Sequence, residues 1–111
     1  MLFRSEKVVR QYNLMGPVKA ALEGTVRSLA AELGPKGIRV HALSPGPLRT
    51  RAASGIDHFD RLVEDALART PQGRLAGIED VGRTAAFLVS DAARALTGNV
   101  VFVDGGRHVM A

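Results

Sequence analysis

Apolar residues recur along this chain with two different periods, and each change of period marks a new element. Val18, Leu22, Val26, Leu29 and Leu33 follow one another at four, four, three and four positions, while Lys19, Glu23, Arg27 and Glu32 fall mostly on other faces. That spacing predicts a long amphipathic helix with one stripe for a core. The helix is expected to start near Asn13, because Pro17 lacks an amide hydrogen and suits only the first turn or its vicinity. Gly34 and Pro35 supply the stop. Ala20, Ala21, Gly24, Ala30 and Ala31 are small enough to let another backbone come close.

After Gly37 the run Ile38-Arg39-Val40-His41-Ala42-Leu43-Ser44 has strand length and turn signals at both ends, which reads as a buried parallel strand. Arg51 to Ile56 is small and contains glycine, as a mobile loop does. Asp57 then caps a second helix with Phe59, Leu62, Val63, Ala66 and Leu67 on one face. A loop joined to a helix in this way can act as a lid. Thr70-Pro71-Gln72-Gly73 breaks the chain. A third helix starts over residues 77–80, with acidic residues suited to its dipole and Val81, Ala85, Leu88 and Val89 as its inner face. Ser90 to Ala93 begins a short turn that Thr97-Gly98 ends. Val100 to Val103 is a second buried strand, closed by Asp104-Gly105-Gly106. Residues 1–11 read as a loop or short helical turn. Two parallel strands with three helices place the chain in the α/β class.

A length of 111 residues allows one domain, and 46% apolar with 23% charged is ordinary globular composition. No run approaches the roughly 18 apolar residues of a membrane span, and the first residues lack the apolar core of a secretory signal. The chain has no cysteine, which excludes disulfides and thiolate metal sites. The expected compartment is the cytoplasm. A net charge of +4 does not point to nucleic acid, because the basic residues are scattered and only one Tyr and four Phe accompany them. His41 has no partner at metal spacing, His58 and His108 being far along the chain. It is expected to be a satisfied core or strand-end histidine, and no metal is expected.

Candidate chemistry begins with Tyr12 and Lys19. Seven positions come to roughly 700° of helix, close to two full turns, so the phenol and the ammonium face the same way about 10 Å apart. That is too far for a direct bond but right for two groups gripping different parts of one ligand. Met15 shares the face. Spacing alone describes a packed aromatic and a solvated lysine equally well. The second candidate is Ser44 to Thr50, a loop stiffened by Pro45 and Pro47 at the end of a predicted strand, where open α/β sheets bind ligands. Gly46 there can take a positive φ or let a ligand approach closely. A tight connection is the alternative.

The word Tyr12-Asn13-x-Met15-Gly16-x-x-Lys19-Ala20-Ala21-Leu22-Glu23 resembles the active-site helix of the bacterial enoyl-acyl carrier protein reductases, a branch of the short-chain dehydrogenase/reductase superfamily. Other members of the superfamily carry the lysine four residues after the tyrosine, where this chain has Gly16. The resemblance implies Tyr12 and Lys19 as catalytic residues, with Lys19 also on the nicotinamide ribose. Ser44 to Thr50 resembles the family's Ser-x-Gly-Pro-x-Arg-Thr loop, which implies Gly46, Pro47, Leu48 and Thr50 as cofactor-binding residues. Ala52-Ala53-Ser54-Gly55-Ile56 is similar to the family's substrate loop, which implies Ala52, Ala53, Ile56 and Phe59, with Met15, beside the acyl chain. Three departures accompany these matches. Leu2 stands where the family has a second active-site tyrosine, and His41 where it usually has asparagine. Asp57 and Asp60 occupy positions neighbouring Arg61 where the family's basic side chains meet the carrier protein, with Arg51 as a substitute.

The resemblance runs from about Glu6 to Gly106 but covers only the second half of a family member. It implies the C-terminal half of a Rossmann-like doubly wound parallel sheet. Residues 1–111 would then be the C-terminal part of a single NAD(P)-binding domain, with the N-terminal phosphate-binding half absent. No Gly-rich strand-turn-helix phosphate loop occurs in the sequence. The implied activity is reduction of the trans-2 double bond of enoyl thioesters with NADH in fatty acid biosynthesis. The choice between NADH and NADPH would be made in the other half. The implied partners are enoyl-acyl carrier protein and further copies of the chain in a tetramer, with no nucleic acid and no membrane. Alternatives are a carbonyl-reducing relative such as a 3-oxoacyl-carrier protein reductase, against which Gly16 speaks, and a non-catalytic module docking through its small-residue helix face. Alone, the chain is expected to fold poorly and to bind NADH weakly, since strand faces stay uncovered and the pyrophosphate has no helix N-terminus.

Overall fold

The computed structural model describes residues 14–48 and 59–111. The expected lead-in over 1–11, the helix start at Asn13, the loop over 51–56 and the Asp57 cap lie outside these residues. The elements in order are α1 (Met15–Leu33), β1 (His41–Pro45), α2 (Phe59–Ala68), α3 (Ile78–Val89) and β2 (Asn99–Val103). Short 3-10 turns occupy Gly34–Lys36, Asp91–Ala93 and Arg107–Val109. The strands pair in parallel as a two-stranded sheet, so the chain is α/β as its periodicities predict.

At the start of α1, Val18 N–H donates to the Leu14 carbonyl at 3.1 Å. Pro17 is thus the third helical residue, a position whose N–H would have no intrahelical partner, and the proline costs the helix nothing. At the other end the α-helix stops at Leu33, but Gly34 itself stays right-handed at φ −52° and begins the 3-10 turn. The chain reverses at Gly37, which takes φ 74° and donates to the Gly34 carbonyl at 2.9 Å.

Two compact units make up the chain. One holds residues 14–43 and 87–101, with Val26, Ala30, Leu88 and Ala93 as its buried apolar residues. Gly98 sits at φ 75°, where an added Cβ would lie 3.4 Å from Cβ of Ala30, so Ala30 is the small residue that admits a neighbouring backbone. Gly98 N–H donates to the Val40 carbonyl at 2.7 Å, and Val40 N–H donates to Thr97 Oγ1 at 3.0 Å. The Arg39 guanidinium donates to the carbonyls of Leu88, Ala93 (2.8 Å) and Ser90 (3.4 Å). The carbonyls of Ser90 and Ala93 also accept from the N–H groups of Ala93 and Leu96 within the turn, at 3.1 and 2.9 Å, so the guanidinium ties that turn and the end of α3 to Arg39.

The predicted core stripe of α1 needs correction. Val26 is buried, but Val18 and Leu22 are 51% and 50% exposed and Leu29 is also exposed. Among the described residues the covered side of α1 carries Val26 and Ala30, one turn apart; Leu29 lies about 100° round from Ala30, and Val18 and Leu22 lie two turns and one turn before Val26. Val89, expected on the inner face of α3, is 80% exposed. It is the last residue of the helix, turned about 100° from buried Leu88.

The other unit holds 44–48, 59–86 and 102–111 among the described residues. Ala66, Thr70 and Asp104 are buried there, and the Thr70 hydroxyl donates to the Ala66 carbonyl. Leu67, expected on one face of α2 with Ala66, is exposed, one position and about 100° round the helix from buried Ala66. Gly105 and Gly106 take φ 63° and 90° in the turn after β2. A Cβ on Gly105 would approach Thr70 Cγ2 to 2.6 Å, and one on Gly106 would approach Pro71 Cγ to 3.1 Å. Gln72 N–H donates to the Gly105 carbonyl at 3.1 Å, locking the turn onto residues 70–74.

Candidate active site

Met15 and Lys19 stand four residues apart on α1, one above the other on a single side of the helix. Met15 is exposed. Lys19 is half-buried, and its ammonium has no hydrogen bond or ion pair among the described residues. Tyr12 lies outside the described residues, so the structure keeps Met15 and Lys19 together and leaves their relation to Tyr12 to the helical spacing.

The loop after β1 is built differently. Gly46 is buried, and its N–H donates to the Val103 carbonyl at 3.3 Å, carrying the sheet ladder past the end of the strand. Gly46 is not among the glycines with positive φ, so that expected use of its freedom is not taken. A Cβ there would meet Cβ of Asp104 at 3.6 Å, an ordinary contact. Pro47 and Leu48 are half-buried, and the Leu48 N–H has no partner among the described residues. Thr50, Ala52, Ala53 and Ile56 lie outside those residues, and Phe59 opens α2.

Behind Gly46 stands a group that sequence reasoning missed. The Asp104 carboxylate accepts from Gly106 N–H at 3.1 Å, from His108 N–H at 2.9 Å and from His108 Nδ1 at 2.9 Å. Because the carboxylate is the acceptor, Nδ1 carries the hydrogen. The His108 ring also stacks on Phe102, with centroids 4.1 Å apart and planes 9° apart. These contacts fix the turn against which the 46–48 loop rests. The four-residue spacing from Asp104 to His108 was the available signal.

His41 corrects another expectation. Both ring nitrogens are buried with no hydrogen-bond partner, so this histidine is not satisfied within the described residues. At the start of α3, Asp80 accepts from Gly77 N–H at 2.8 Å and from Arg74 at 3.3 Å. The Gly77 hydrogen bond first, and then that of Arg74, hold the Asp80 carboxyl below its ordinary pKa. Among the described residues no three His, Asp or Glu side chains converge as metal ligands, and no helix is long and apolar enough to cross a membrane.

Each in its own unit, Lys19 and the Leu48 N–H are donors without a partner among the described residues. An ammonium of this kind can donate to hydroxyl oxygens, and a backbone amide to a carbonyl oxygen.

A family model described as enoyl-(acyl carrier protein) reductase matches residues 2–108. The chain belongs to this family. It is 49% identical over 107 residues to the NADH-dependent enoyl-[acyl-carrier-protein] reductase of Escherichia coli (strain K12), covering 96% of this chain and 41% of that relative. The chain thus spans about two fifths of the length of the curated relatives it matches. Among solved structures, the Bacillus cereus enoyl-acyl carrier protein reductase with NADP+ and indole naphthyridinone superposes with a TM-score of 0.92 at 46% identity, over 96% of this chain and 42% of that one. The Anaplasma phagocytophilum reductase in complex with NAD gives a TM-score of 0.85 at 42% identity, over 96% and 38%. The match extends through the 46–48 loop and the Asp104 turn, so those elements belong to the family's fold.

Proposed function

We propose that this chain is the C-terminal part of a single NAD(P)-binding Rossmann-fold domain in an NADH-dependent enoyl-acyl carrier protein reductase, whose N-terminal part holds the cofactor phosphates. The observation that carries the reading is Lys19, half-buried on α1 without a partner among the described residues, seven positions after Tyr12 in a chain of this family. In the complete enzyme the bound nicotinamide supplies hydride to the β-carbon of a trans-2-enoyl thioester. Tyr12 donates a hydrogen bond to the oxygen of the resulting enolate, a contribution of about 3–4 kcal/mol in a preorganised site. Lys19 binds the ribose hydroxyls and adds a positive charge that favours the enolate. Leu48 N–H, the backbone of Gly46 and Pro47, and Thr50 hold the carboxamide. Met15, Ala52, Ala53, Ile56 and Phe59 line the acyl chain. The thioester arrives on acyl carrier protein, and the enzyme is a cytoplasmic homotetramer.

The test joins the N-terminal part of the E. coli relative to this chain and follows NADH oxidation with crotonyl and acetoacetyl thioesters. Crotonyl reduction is expected, and preference for acetoacetyl would identify a carbonyl reductase instead. Lys19→Ala should raise KM for NADH more than about tenfold, while Lys19→Arg keeps part of the affinity through its charge. Equal KM values for NADH in all three proteins would remove Lys19 from the cofactor site.

A further inference from the structure

Residues 46–48 have few main-chain ties of their own. Gly46 N–H donates to the Val103 carbonyl, Pro47 has no N–H, and the Leu48 N–H has no partner among the described residues. Where this stretch sits therefore depends on what it rests against. Gly46 is buried, and a Cβ built on it would lie 3.6 Å from Cβ and 3.8 Å from Cα of Asp104, in the same unit. Asp104 is itself held by its carboxylate, a side chain only 6% exposed that accepts from Gly106 N–H, His108 N–H and His108 Nδ1. Of these three donors only the imidazole is a side chain. Its ring also lies flat on Phe102, the next-to-last residue of β2, so His108 ties the end of the strand to the carboxylate beneath Gly46.

We propose that His108 is a positioning residue for the cofactor loop: acting through Asp104, it fixes where Gly46 lies against β2 and hence where the Leu48 N–H points. This rests on the reading of 46–50 as the loop that grips the nicotinamide carboxamide. A buried carboxylate that loses one of its donors turns toward another, and its main chain shifts with it. Hydrogen bonds weaken steeply with distance and angle, so a small shift at Gly46 is felt at the amide two residues on. The stack on Phe102 gives the donor a single orientation, which is what a group supporting a binding loop requires.

The experiment uses the chain joined to the N-terminal part of the E. coli relative and compares, by calorimetry, NADH with ADP-ribose, which lacks the nicotinamide ring and its carboxamide. His108→Phe keeps a flat ring on Phe102 and removes the donor. It should weaken NADH about fivefold while ADP-ribose stays within about 1.5-fold, and it should raise KM for NADH with kcat on crotonyl thioester within about twofold. His108→Asn gives up the ring but keeps an amide donor close to the place of Nδ1, so NADH affinity should return to within about twofold of wild type even where Tm is lower. Should His108→Phe not fold, His108→Leu takes its place and the same ratio of the two ligands is read. Equal losses for NADH and ADP-ribose, no loss for either, or as great a loss in His108→Asn as in His108→Phe would overturn the role of His108 and leave the reading of the loop intact. A wild-type protein that binds NADH no better than ADP-ribose would overturn both.

Discussion

Asp104 accepts three hydrogen bonds from its own turn, whereas Lys19 donates to none of the described residues. The same contrast runs through their surroundings. Around Asp104 the chain closes on itself: His108 lies on Phe102, Gly105 has no room for a side chain against Thr70, and Gln72 holds the Gly105 carbonyl. Along α1, Leu14 is 76% exposed and Val18 and Leu22 about half exposed. The first region spends its polar groups internally and so serves as scaffold. The second leaves polar and apolar groups uncommitted, which is what a ligand or a completing partner requires. Substitutions in the two regions should therefore differ in what they disturb.

The largest effect should come from Gly105→Ala. The new methyl would meet Thr70 Cγ2 at 2.6 Å and the Arg74 carbonyl at 3.1 Å, in a left-handed backbone that alanine resists. Overpacking and the φ penalty together should cost about 3 kcal/mol in urea denaturation, a large part of a small domain's stability. Asp104→Asn should follow at about 2 kcal/mol. The amide keeps one oxygen for Gly106 and His108 Nδ1 but turns an NH2 group toward the His108 N–H, setting donor against donor. Wild-type melting in either variant would mean that this turn is not the scaffold.

Much of this was legible from the residues. The alternation of periods predicts all five elements in order, because each helix and strand carries its own spacing between Gly and Pro breaks. The motif residues Lys19, Gly46, Pro47 and Leu48 fall on the elements expected. What the residues could not say is which apolar positions meet a partner. Val26 and Val18 belong to one stripe, yet only Val26 finds cover, since cover depends on what the rest of the chain can reach. The tightness at Gly105 was equally hidden, because its clash is with Thr70, 35 positions earlier.

Asp80 offers a smaller, pH-dependent test of the scaffold side. Its pKa is lowered in the folded chain, by the Gly77 N–H foremost and then by Arg74. In acid the unfolded chain therefore binds more protons at this group, and the stabilisation present at neutral pH is lost as pH falls through the folded value. Asp80→Asn should melt below wild type at neutral pH, and the two curves should converge in acid, beneath the ordinary carboxylate range near about 4. A gap that persists at the lowest pH would assign the effect to shape rather than charge.

The smallest expected effect lies on the open side of the comparison. Leu22 is 50% exposed on α1, so replacing it by glutamine removes little buried surface. Leucine and glutamine have similar helix propensities, and the helix itself should not register the change. Stability of the chain should stay within about 0.5 kcal/mol. Self-association should fall, because one of the exposed apolar side chains that α1 presents at Val18, Leu22 and Leu29 becomes polar. Urea titration and light scattering on the same samples separate the two quantities. A loss above about 1 kcal/mol with unchanged scattering would show that Leu22 is covered within a single chain, and the contrast between the two regions would fail at its weaker end.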